Sequence, residues 1–100
     1  MTMFAVHYTY DDRAAERDAV RAQHRAFLEN LADAGVALAY ARYEDVGSPG
    51  ALLLFAGDSA DAIESLLDQD PYALAGLIAD REVRVWNASG PLVAGLAATA

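Results

Sequence analysis

His24 and Asp70 are the residues of this chain best placed to do chemistry, because each falls where a packed helix would otherwise put an apolar side chain. In a helix over Ala14 to Ala34, the residues Val20, His24, Phe27, Leu28 and Leu31 recur at the spacing of one buried stripe, so the imidazole points inward. In a second helical stretch Ile63, Leu66 and Leu67 form a similar stripe, and Asp70 extends it one turn before Pro71 stops the helix. An imidazole titrates near neutrality and can give or take a proton, while a carboxylate within hydrogen-bond reach fixes its tautomer and stabilises its charged form. Two helices side by side on one sheet would bring the pair together as a general-base dyad. Each residue also has a plain structural reading. His24 could be a core histidine bonded to a backbone carbonyl. Asp70 could be an N-cap with Pro71 at the first helical position, worth about 1 kcal/mol without any catalysis.

Other residues join these as candidates. Arg42, at the end of a predicted strand, could hold a substrate carboxylate through two parallel hydrogen bonds, or pair at the surface with Glu44 or Asp45. Tyr72 would either cover a pocket with its ring or anchor a short turn. His7, on the strand face opposite Phe4 and Val6, would line a cavity or bond across an interface. Two histidines and no cysteine are too few for a good zinc site, so no metal is expected. Without a glycine-rich phosphate loop, a serine elbow or a dinucleotide fingerprint, no cofactor is expected either.

The elements that must position these groups follow from periodicity. Residues Met3 to Thr9 alternate with period two and predict a first strand, and Asp11-Asp12 supplies a capping signal for the long helix. Gly35 suits that helix's C-cap. Val36 to Glu44 predicts a second strand with Val36, Leu38, Tyr40 and Arg42 on one face and alanines 37, 39 and 41 on the other. After the turn Gly47-Ser48-Pro49-Gly50, the apolar run Ala51 to Ala56 predicts a strand buried on both faces at the sheet centre. Ser59 caps the second helix, Pro71 to Gly76 makes a short helical turn, and Glu82 to Trp86 predicts a fourth strand. The order is βαββαβ, an α+β, ferredoxin-like arrangement in which a four-stranded antiparallel sheet carries both helices on one face. The bare opposite face, with Ala, Val and Trp, predicts a homodimer burying sheet against sheet. One domain over residues 1–91 is expected, with a tail over 92–100 that is disordered or crosses to the partner.

Composition narrows the partners. Fifteen acidic against seven basic residues give a net charge of −8, which opposes phosphate neutralisation and excludes a nucleic-acid partner. The apolar run at 51–57 is far too short to span a membrane, and no secretory signal opens the chain, so a cytoplasmic protein is expected.

Asp70-Pro71-Tyr72 followed by Ala75-Gly76-Leu77, after an amphipathic helix and before a Val-rich strand ending in Trp86, resembles the hallmark of the YciI-like (YCII-related) family. Arg21, His24, Phe27, Leu28, Leu31 and Gly35 resemble that family's first helix. The resemblance runs from about Met3 to Pro91. It implies a dimeric α/β barrel of ferredoxin-like protomers, related in fold to muconolactone isomerases, with His24 and Asp70 as the catalytic pair. A dehydrochlorinase of chlorinated hydroxyquinols is among the family's assigned activities. Ala41-Arg42 stands where members commonly carry Gly-Pro, so the substrate does not carry over.

The leading expectation is a small cofactor-independent lyase or isomerase. His24 would move a proton on a small cyclic or aromatic substrate, Asp70 would orient it, and Arg42 and Tyr72 would bind and cover the substrate. The alternative is a non-catalytic dimeric module that binds a small ligand or serves as an accessory.

Overall fold

The computed structural model describes residues 2–93. Its elements run β1 (Thr2–Thr9), α1 (Ala14–Asp33), β2 (Ala37–Arg42), β3 (Gly50–Gly57), α2 (Ala60–Leu67), α3 (Pro71–Leu74) and β4 (Asp80–Val85). The strands form one antiparallel sheet in the order β2-β3-β1-β4, the ferredoxin-like topology that the βαββαβ order predicts. The expected tail beyond Val93 lies outside the described residues.

Alternation decides which side of the sheet is core. Phe4, Val6 and Tyr8 of β1, and Leu53 and Phe55 of β3, face the helices and are almost fully buried with Leu28, Ile63 and Leu67. Met3, Ala5, His7, Leu52 and Leu54 alternate onto the opposite face, which the helices leave bare. Leu52 is 37% exposed and Trp86, beyond the end of β4, 52%.

Three local expectations are corrected. The Asp11-Asp12 pair does not cap α1. Arg13 occupies the N-cap, and Asp11 instead accepts the Arg13 N–H at 3.0 Å while pairing with its guanidinium. The second strand is shorter than predicted, and a bulge between Ala37 and Ala39 breaks its alternation. Ala37 consequently faces the core beside the side chains of Tyr40 and Arg42, which share the helix side with Leu53 and Ala51, while Ala39 and Ala41 stay on the open face opposite Leu54 and Leu52. Finally, α2 ends at Leu67 rather than at Asp70, which opens α3 instead of closing α2.

Gly35 closes α1 as its sequence position predicts. At φ 77° it donates its N–H to Ala32, and Val36 donates to Leu31, the paired bonds of a Schellman cap.

Candidate active site

Asp70 is the centre of the site and is inaccessible to solvent. Pro71 at the first helical position leaves the α3 N-terminus ready for a cap, and Asp70 Oδ1 accepts the Tyr72 N–H at 3.0 Å. The same oxygen lies 2.8 Å from His24 Nδ1 on α1, and Oδ2 accepts the Tyr8 hydroxyl at 2.9 Å. A buried carboxylate is costly unless hydrogen-bonded, and here three donors from β1, α1 and α3 meet it. The cap and the dyad are therefore one arrangement rather than competing readings.

With Nδ1–H donating to the Asp70 carboxylate, Nε2 is the unprotonated nitrogen of the neutral ring. Tyr72 fixes the ring plane: its own ring stacks on the imidazole with centroids 3.9 Å apart and planes 5° from parallel. Tyr10 meets Tyr72 edge-on at 5.7 Å, and the Arg17 guanidinium lies 4.8 Å from the Tyr10 ring centre. Arg17 is itself buried and reaches Asp11 at 3.3 Å. The sequence placed Tyr72 beside Asp70 as a cover or an anchor; it is buried, and its contact is with the imidazole.

Burial, then the neighbouring Asp70 charge and hydrogen bond, push the Tyr8 phenol far above its usual range. Tyr10 moves the same way through burial, followed by the charges of Tyr72 and Asp70. Both hydroxyls thus remain neutral donors at physiological pH.

His24 faces a half-open cleft of about 1030 Å³ between α1 and the β2–β3 side of the sheet, lined also by Arg42, Tyr40 and Tyr72. Arg42 is not part of the dyad's contacts; it stands at the cleft margin, 3.9 Å from Glu44. His7 lies on the other face of the sheet, where Nδ1 is 3.0 Å from the Tyr43 hydroxyl. Among the described residues no group of three metal-ligating side chains occurs. No helix among them is long and apolar enough to cross a membrane.

Sequence reasoning missed Tyr8 and Arg17. Tyr8 alternates with Phe4 and Val6 and so reads as plain core, yet a buried tyrosine hydroxyl requires a partner, and that requirement was the available signal. Arg17 continues the His24 stripe one and two turns back through Arg21, at positions seven and three residues before the imidazole.

Residues 1–87 match the YCII-related domain family. The chain belongs to that family. No match was found among curated proteins. Among solved structures, this YCII-related protein is similar to the 5-chloro-2-hydroxyhydroquinone dehydrochlorinase of Burkholderia phenoliruptrix, solved with 2,5-dihydroxybenzoquinone. The two share 23% identity at a TM-score of 0.76, over 87% of this chain and 95% of that one. It is also similar to a cofactor-independent oxygenase from Streptomyces nogalater, at 19% identity and a TM-score of 0.53 over 91% of this chain and 95% of that one. An antibiotic biosynthesis monooxygenase matches at 14% identity and a TM-score of 0.57, over 90% of this chain and the whole of the other. At these identities the likeness establishes a shared ferredoxin-like α+β fold and nothing more.

Proposed function

We propose that this YCII-related protein is a small enzyme that transfers a proton on a cyclic or aromatic substrate, with His24 as the base and Asp70 as its positioning partner. The observation that carries this reading is the 2.8 Å contact between a carboxylate sealed from water and Nδ1 of an imidazole that lines a cleft. A carboxylate that fixes Nδ1 of an imidazole lining a cavity is the arrangement a general base requires. The relatives add support: one is a dehydrochlorinase solved with a quinone, another an oxygenase that needs no cofactor.

In the proposed step Nε2 takes a proton from the bound substrate, and the positive charge formed on the ring faces Asp70 on one side and the Tyr72 π surface on the other. The proton then returns to a second substrate atom, giving isomerisation, or is released to water after a leaving group departs with its bonding electrons. Arg42 binds the substrate at the margin. Tyr72 acts through the imidazole it stacks on.

The test is a panel of hydroxylated and chlorinated hydroquinones, followed by NMR for solvent deuterium incorporation and by chloride release. Wild type turns over at least one of them, and His24→Gln lowers that rate by about 10²- to 10⁴-fold. Turnover undiminished in the variant, or none in wild type across the panel, rejects the enzyme reading. Ligand binding without turnover would instead mark a binding module.

The open sheet face, with Leu52 and Trp86 exposed, supports a homodimer formed sheet to sheet. Light scattering should then give twice the 10.6 kDa chain mass, and Leu52→Asp should give the monomer. A monomeric wild type excludes it.

A further inference from the structure

All the positive side chains of this acidic chain except its histidines are arginines, seven in number. Four of them, Arg17, Arg21, Arg25 and Arg42, line the cleft that holds His24. Three of the four recur every fourth residue along α1, where like charges repel, and the first stands in the opening turn, where the helix dipole disfavours a cation. Such a row opposes folding. Solubility does not require it either, because acidic residues outnumber basic ones by 15 to 7.

Their partners divide the four into two kinds. Arg17 is committed to Asp11 and to the Tyr10 ring, and Arg21 forms an ion pair with Asp18, one turn away on the same helix. Arg25 makes no ion pair among the described residues, although carboxylates are in excess. Arg42, on the sheet side, stands 3.9 Å from Glu44, too far for a hydrogen bond. The two least neutralised cations thus line one cleft from two elements, α1 and β2. The remaining carboxylates of the lining, Glu44 and Asp45, follow the end of β2, and Asp45 accepts the Gly47 N–H at 3.1 Å. Tyr40 and Tyr43 add flat apolar surface to the same lining.

We infer that the cleft selects a flat cyclic ligand bearing an anionic oxygen, a carboxylate or an ionised enol or phenol, and that Arg25 and Arg42 hold that oxygen. Their guanidinium forks suit such an oxygen, and the tyrosine rings suit the ring that carries it. This deepens the proposed function and rests on reading the cleft as the substrate site.

Matched probes isolate the charge: salicylate against salicylamide, and 2,5-dihydroxybenzoquinone against its dimethyl ether, each titrated calorimetrically. The acidic member should bind about tenfold more tightly than its neutral twin, and rising salt should narrow the gap. In the double variant Arg25→Gln, Arg42→Gln the twins should bind within about twofold of each other. Both side chains are exposed, and an unchanged melting temperature confirms that the double variant is folded. Equal binding of the twins to wild type overturns the inference, as does a preference that survives in the double variant or the failure of both acids to bind. Its failure is separable from that of the enzyme reading. A wild type that prefers the acids but turns over no member of the panel keeps the charge selection and discards the catalysis.

Discussion

Asp70 accepts three hydrogen bonds and sees no water, so what replaces it decides what fails. Asp70→Ala strands the Tyr8 hydroxyl, the Tyr72 N–H and the His24 Nδ1–H together and should cost about 3 kcal/mol in urea unfolding. Asp70→Asn keeps one oxygen for the Tyr72 and His24 donors and turns an N–H₂ toward Tyr8, whose hydroxyl can accept; about 1 kcal/mol is expected. Nitrogen-15 shifts of the His24 ring should show the Nδ1–H tautomer dominant in wild type and in the Asn variant, and mixed in the Ala variant, where no side chain at position 70 accepts from Nδ1. An unchanged tautomer in the Ala variant would mean that the carboxylate does not orient the ring. His24 and Asp70 were legible in the sequence because a polar residue on an apolar stripe contradicts its surroundings. Tyr8 was not, because its ring satisfies the strand alternation and only its terminal hydroxyl does anything unusual.

At the scale of elements, β1 and β3 must lie close for Tyr8 to reach Asp70. The pairing places Gly50 opposite Thr9, and a side chain there would run into the Tyr8 backbone carbonyl oxygen. Gly50→Ala therefore forces the strands apart at the residue that holds Asp70. A loss of about 2 kcal/mol or more is expected by thermal unfolding, with activity lowered in parallel. A fully stable alanine variant would show that the strand ends move apart freely. The elements themselves were largely legible: strands, helices and their order follow from periods of two and 3.6 residues. The bulge in β2 was not, since a register shift between Ala37 and Ala39 leaves no mark on a strand read by alternation. The start of α1 at Ala14 was legible, but its cap was not. Asp11 and Asp12 look like caps, but the two arginines that follow compete for Asp11, and Arg13 takes the N-cap position.

For the whole molecule, the buried tyrosines link the site to stability in alkali. Tyr8 and Tyr10 have phenols raised above the ordinary value in the folded state, chiefly by burial. Their contribution to stability is complete below the unfolded value of about 10 and is lost as pH rises above it, because the unfolded chain releases those protons first. Unfolding free energy should accordingly fall above about pH 10, and Tyr8→Phe should flatten that fall while lowering stability at neutral pH by about 1 to 3 kcal/mol. A curve that is the same in both proteins would remove Tyr8 from this role. The charge asymmetry belongs to this scale too. A chain of net charge −8 reads as uniformly acidic from its composition, and only the folded helix shows that arginines spread over positions 17 to 42 converge on one cleft.

The carboxylate that joins β1, α1 and α3 has a practical consequence for finding the ligand. His24 and Tyr8 lie 46 and 62 residues from Asp70, so the cleft's floor exists only in chains that have folded completely. Any compound that fits it discriminates between folded and unfolded protein, and mass action turns that discrimination into heat resistance, about 2.7 kcal/mol at a concentration 100 times Kd. A library of small acids can therefore be sorted by melting temperature alone, before any reaction is known.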